Sequence, residues 1–249
     1  MRSLFVFCAC SLLPLLLLPT AHQWLLSIVM LCPHCSLFFF FSHSLLFPSP
    51  PSIVIPLMSR LLPHYSKGKT AFLCVDLQKA FAPRIANFAN CVFVANQFAA
   101  LHEVLKEETK YVVTEQYPKG LGNTVPEIKV PNGSLVVPKT QFSCIVPEVV
   151  TALKDVDNVV LFGIEGHACI LQTAAELLDM KKKVALPVDG IGSQKATDLG
   201  AAIELMRTWG PDCFVTSTES IILQMTKGAS DPKFKQVSGI LKNKHPIEI

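Results

Sequence analysis

Asp76, Lys139 and Cys169 each close a β-rich run or follow directly after one, and together their side chains fit covalent acyl chemistry. Cys169 lies in 161-LFGIEGHACILQTAAELLDM-180, where an apolar run stops at Gly163 and a helix-like pattern opens around the thiol. Unpaired N–H groups at a helix start favour thiolate, and a neighbouring lysine lowers a thiol pKa further. Asp76 fits a general base that takes the thiol proton and then, as an acid, returns it to a leaving amine. Backbone N–H groups at the turn would hold a tetrahedral oxyanion. The predicted reaction is acyl transfer to water through a thioester. Each residue taken alone also has a plainer reading. Asp76 could cap a turn, Lys139 could be a solvated residue after a strand, and Cys169 could be a small apolar packing unit.

The elements that must position these groups follow from the apolar pattern. Short β-rich runs occur at 71–77, 110–116, 134–139, 158–164, 183–190 and 213–218. Helical stretches fall at about 90–107, 146–154, 167–181, 195–209 and 218–227. Continuously apolar strands alternating with helices predict a parallel sheet covered on both faces. The expected fold class is therefore α/β: a three-layer α-β-α sandwich with a mainly parallel, doubly wound sheet of about six strands. Ligands of such sheets sit beyond the carboxyl ends of the strands, where the strand order reverses. Asp76, Glu115-Gln116, Lys139 and 165-EGHAC-169 all fall on that edge.

Charge and cysteine usage exclude other classes. The formal net charge is only +3, and no Lys/Arg cluster is interleaved with aromatics, so no nucleic-acid partner is expected. Lys181 to Lys183 end a predicted helix, where cations complement free carbonyls. Of nine cysteines, Cys74, Cys91, Cys144, Cys169 and Cys213 are spread through the charged part of the chain without paired spacing. That pattern fits a reducing compartment better than a disulfide framework.

Residues 1–57 differ from the rest. No Lys, Arg, Asp or Glu occurs from Ser3 to Ser59. The run 3-SLFVFCACSLLPLLLL-18 resembles the start of a signal peptide, and 24–47 has the length to span a bilayer but is interrupted by Pro33 and His34. Alternatively, the protein proper starts at Met58, with an upstream reading frame joined by a wrong start. Cys32-Pro-His-Cys35 has redox-motif spacing but no βαβ context. The domain division is thus 1–57, an extension outside the fold, and 58–249, the hydrolase domain. A cytoplasmic location is expected if translation starts at Met58, and a membrane-associated or secretory one if 1–57 is translated and retained.

The stretches 73-LCVDLQKAF-81, 113-VTEQYPKGLGNTVPEI-128, 138-PKTQFSCIVPEV-149, 162-FGIEGHACILQTAAELLDM-180 and 216-TSTESIILQM-225 resemble the isochorismatase-like cysteine hydrolase superfamily. They are most similar to its isochorismatase domain-containing branch, from about Lys69 to about Lys242. The resemblance implies an Asp-Lys-Cys triad, which falls on Asp76, Lys139 and Cys169. It also implies a cis peptide between Ile164 and Glu165, which would aim the Glu165 and Cys169 N–H groups at a substrate oxygen. Candidate substrate-pocket residues are Gln78, Phe81, Gln116, Tyr117, Phe142 and His167. Nicotinamidases of the superfamily hold a metal through histidines in the loop after the second strand. Here that loop, 115-EQYPKGLGNTVPE-127, has no histidine, so neither metal nor other cofactor is expected. The presence of the cysteine argues against isochorismate, whose vinyl ether needs acid catalysis and no thioester. Gly166 stands where relatives often carry Thr or Ala.

The sequence-based expectation is a metal-independent cysteine hydrolase of a small-molecule substrate, amidohydrolase-like, cleaving an amide-type C–N bond as a homo-oligomer. Two alternatives stand beside it. One is a catalytically silent binding or regulatory protein on the same fold, and the other, ranked lower, is a ribonuclease-type activity.

Overall fold

The computed structural model describes residues 68–226 and 228–246. The extension 1–57, its Cys32–Cys35 spacing and the alternative start at Met58 lie outside the described residues. Among the described residues, no helix is long and apolar enough to cross a membrane.

Strand β1 (Lys69–Val75) shows how the sequence builds the layers. Its side chains alternate between two faces, as the period of two in a strand requires. Phe72 and Cys74 enter one apolar cluster, while Ala71, Leu73 and Val75 enter the other. All six side chains from Ala71 to Asp76 are essentially inaccessible, which explains the lack of polar alternation.

The remaining strands are β2 (Thr109–Gln116), β3 (Leu135–Lys139), β4 (Val156–Ile164), β5 (Lys183–Pro187), β6 (Ile191–Gly192) and β7 (Cys213–Thr216). They run in the order β3-β2-β1-β4-β5-β7, with β6 paired to β4, and every pairing is parallel. Helices α1 (Phe88–Val104), α6 (Thr218–Met225) and α7 (Phe234–Ile240) pack on the Phe72 face. Helices α3 (Pro147–Ala152), α4 (Leu171–Asp179) and α5 (Ala196–Arg207) pack on the Leu73 face. A short α2 (Pro118–Leu121) follows β2. The result is the expected three-layer, doubly wound sandwich. Phe72, Phe98 and Phe162 anchor one layer, with ring centroids 5.1 and 4.9 Å apart for the pairs Phe72–Phe98 and Phe98–Phe162.

The chain steps outward from β1 through β2 to β3, then restarts on the other side of β1 with β4. The order therefore reverses between β1 and β4, where Val75 pairs with Gly163. Gly163 has φ +121°, and a Cβ there would sit 2.2 Å from the Val75 carbonyl oxygen. Only glycine lets the two backbones approach so closely at this point.

Two elements depart from expectation. The run 183–190 breaks at Pro187, becomes a tight turn over Val188–Gly190, and resumes as the two-residue β6 against β4. The helix expected from 167 opens instead as a wide π turn, Gly166–Ile170, before α4 begins at Leu171.

Candidate active site

The register of the sheet brings the three chemical residues together. Asp76 follows β1 with φ +53°, a left-handed conformation that aspartate tolerates better than most residues. Lys139 is the last residue of β3 and pairs in register with Gln116 of β2. Cys169 sits in the π turn that links β4 to α4.

Lys139 Nζ donates to Asp76 Oδ2 at 2.7 Å, to Gln116 Oε1 at 2.7 Å and to the Phe142 carbonyl at 3.0 Å. The Cys169 sulfur lies 3.7 Å from the same nitrogen. On the other side, Thr114 Oγ1 donates to Asp76 Oδ1 at 2.7 Å. Cys169 and Asp76 are also near enough to perturb each other's ionisation. Asp76, Lys139 and Cys169 thus form one buried, connected triangle, with exposures of 1, 4 and 5 %.

Electrostatics refine the expectation for the thiol. Burial, followed by the Asp76 charge, pushes the Cys169 pKa up to about 12, and Lys139 only partly opposes them. The lysine cannot dominate because its short donor contacts go to Asp76, Gln116 and Phe142. The resting thiol is therefore protonated, contrary to the expected standing thiolate. Burial raises the Asp76 pKa, against the pull of Lys139 and the Thr114 hydrogen bond. Burial works against the Lys139 ammonium, but Cys144, Asp76 and Cys169 together hold its pKa above the ordinary lysine value. Asp76 is consequently a more basic carboxylate than usual.

A cavity of about 670 Å³ opens over Cys169. Phe81, Gln116, Tyr117, Phe142 and His167 line it, as the sequence predicts, and so does Glu165. Gln78 does not. It is fully buried beneath the site, where its amide bonds the Gln116 N–H and carbonyl and the Gly122 carbonyl. An amide two residues after Asp76 alternates back under the strand end, so it latches the β2–α2 corner instead of facing substrate. The Ile164–Glu165 peptide bond is cis. Among the described residues, no group of three or more His, Cys, Asp or Glu side chains could hold a metal ion.

Several site residues escape the sequence reading. Leu121, Thr140, Ala168 and Gln194 also line the cavity, and Thr114 braces Asp76 from below. Thr114 carried a signal, as the one small polar side chain in the 111–114 segment, after Tyr111, Val112 and Val113. Gln194 carried none, because its position depends on β6. Gly166 packs tightly: a Cβ there would meet Leu199 Cδ1 at 2.6 Å.

Comparisons with known proteins agree with this architecture. Residues 70–220 match the family described as the isochorismatase domain. The chain is 37 % identical over 195 residues to isochorismatase domain-containing protein 1 of Salmo salar, covering 77 % of this chain and 66 % of that protein. It thus spans just under two thirds of that relative's length. Against isochorismatase domain-containing protein 2A of Mus musculus it is 40 % identical over 192 residues, covering 76 % of this chain and 88 % of the mouse protein. A solved Leishmania donovani structure, provisionally named a MAR1 ribonuclease, superimposes with a TM-score of 0.76 at 67 % identity. That match covers 77 % of this chain and all of the Leishmania chain.

Proposed function

This chain belongs to the isochorismatase family, and on that footing we propose that it is a metal-independent cysteine hydrolase of small acyl compounds, with an amide-type C–N bond as its target. The observation that carries this reading is the single triangle of Asp76, Lys139 and Cys169 beneath an open cavity. Substrate binding places an acyl carbon over Cys169. Asp76 takes the thiol proton as the sulfur attacks, giving a tetrahedral adduct whose oxyanion the Glu165 and Cys169 N–H groups hold. The C–N bond then breaks, Asp76 returns the proton to the departing amine, and a thioester remains. Water attacks that thioester with Asp76 again as base, releasing the acid and restoring the thiol. Lys139 keeps its charge throughout and holds Asp76 in place. As proton transfer proceeds, it faces the developing thiolate.

A panel of small amides, ureas and activated esters tests this. Hydrolysis by the full chain and its loss in Cys169→Ala support the proposal. Hydrolysis that survives the substitution contradicts it, and an inert wild-type chain favours the silent-binding alternative. Edge strand β3 exposes Leu135 and Val136, which supports the proposed homo-oligomer, and sedimentation velocity checks it.

The name of the Leishmania neighbour favours a second reading, cleavage of RNA. The site lends it less support, because the only cation at the triad is buried on Asp76. Incubating a structured and a single-stranded RNA with wild-type and Cys169→Ala protein separates the two readings. RNA cleavage that persists in the variant assigns that activity to something other than the thiol.

A further inference from the structure

Glu165 is the one side chain of fixed charge that lines the cavity over Cys169. It is buried, yet among the described residues no Lys or Arg pairs with it. Two amide donors of Gln194 bind it: Nε2 to Oε1 at 2.7 Å and the backbone N–H to Oε2 at 3.1 Å. His167 Nδ1 stands 3.5 Å from Oε2 and nearer, 3.2 Å, to Ser193 Oγ. Ser193 Oγ also accepts the Gly166 N–H at 3.0 Å. A desolvated carboxylate with no lysine or arginine beside it is costly and gains strongly from a cation that arrives with its own donors.

The rest of the cavity wall suits the same guest. Tyr117 and Phe142 are 54 and 56 % exposed, the two most exposed large apolar side chains of the described residues, and both sit on the cavity with Phe81. Aromatic faces beside a carboxylate form an environment that attracts an organic cation by ring quadrupole and by charge. Lys139 does not compete for that role on the carboxylate side, because its ammonium is bound to Asp76.

We infer that the cavity selects acyl substrates that carry a cationic nitrogen group, an amine, amidine or guanidine, with Glu165 as its anchor and Phe81, Tyr117 and Phe142 packing around it. This rests on the hydrolase reading of the same cavity and narrows it to one substrate class. Glu165 is then a specificity-determining residue whose side chain binds the non-reacting end of the substrate while its backbone stays at the reacting end.

Equilibrium binding of n-butylguanidinium, neutral n-butylurea and valerate to the full chain in the Cys169→Ala background tests the inference without turnover. The guanidinium is expected to bind at least about tenfold more tightly than the urea, with valerate weakest. Adding Glu165→Gln is expected to erase the difference between guanidinium and urea. Equal binding of the two in the Cys169→Ala protein overturns the inference without need of the second variant, as does a preference that survives Glu165→Gln. The outcomes also separate this inference from the hydrolase reading. Selective guanidinium binding in a chain whose Cys169 is never acylated keeps the cation site and removes the hydrolase. Acylation of Cys169 with no preference for cations does the reverse.

Discussion

Lys139 Nζ and Asp76 Oδ2 are 2.7 Å apart, and both side chains are out of contact with solvent. A buried ion pair is most costly when one member is removed, because the other is left as an uncompensated charge. Lys139→Met is therefore expected to destabilise the domain by about 3–5 kcal/mol. Asp76→Asn is expected to lose a comparable amount, and the double variant Asp76→Asn/Lys139→Met less than the sum. Urea unfolding of the four proteins checks the cycle. Additive losses would mean that the pair is not coupled.

Alkylation of Cys169 should report a protonated resting thiol. With its pKa pushed up to about 12, the site-resolved rate with iodoacetamide is expected to keep rising through pH 10 without a plateau near neutrality. A plateau below pH 8 would restore the standing thiolate that the sequence suggested.

The proposed role of Asp76 sets the expected pH profile of kcat/KM. With Asp76 as the proposed base, it must be ionised, so activity is expected to fall as pH drops through its raised folded pKa, with the acid limb above the ordinary carboxylate value of about 3.9. Lys139 and Cys169 titrate far higher, so no alkaline loss is expected below about pH 9. For stability the sign is opposite to that of a salt-bridged surface acid. A raised carboxyl pKa favours the folded state below the unfolded pKa, and that contribution is lost as pH rises through the folded value. Exposed Asp155, held low by Lys110 and then Lys69, behaves the other way and loses its solvent-screened contribution as pH falls.

Thr114→Val removes the hydroxyl that donates to Asp76 Oδ1. The carboxylate then loses a partner, so the acid limb of kcat/KM is expected to move to higher pH, with a stability loss of about 1.5–3 kcal/mol. A purely structural threonine would lower stability and leave the limb in place.

Gly163→Ala tests the meeting of β1 and β4. Its φ of +121° and the 2.2 Å approach to the Val75 carbonyl give a methyl group no room. A loss of at least about 1–3 kcal/mol is expected in thermal or urea unfolding.

Much of this site was legible in the sequence because a parallel sheet carries every strand's carboxyl end to one edge. Asp76, Glu115, Lys139 and the turn before Cys169 close separate apolar runs, so the topology brings them to that edge. Gln78 misled because a residue two positions past a strand end can fold back under it, as this one does. The thiol pKa was not legible, since it depends on burial and on how completely Asp76 engages Lys139. Gln194 and α2 were missed for want of length: one follows a two-residue strand, and the other is a four-residue helix.

On the proposed mechanism Cys169 carries the acyl group. The direct measurement is acid-quenched intact-mass spectrometry with peptide mapping, taken during turnover of a reactive amide or ester. An increment equal to the acyl group is expected, located on Cys169 and absent in Cys169→Ala. Product formation with no acylated Cys169 at any quench time, in a chain whose activity persists in Cys169→Ala, would contradict it.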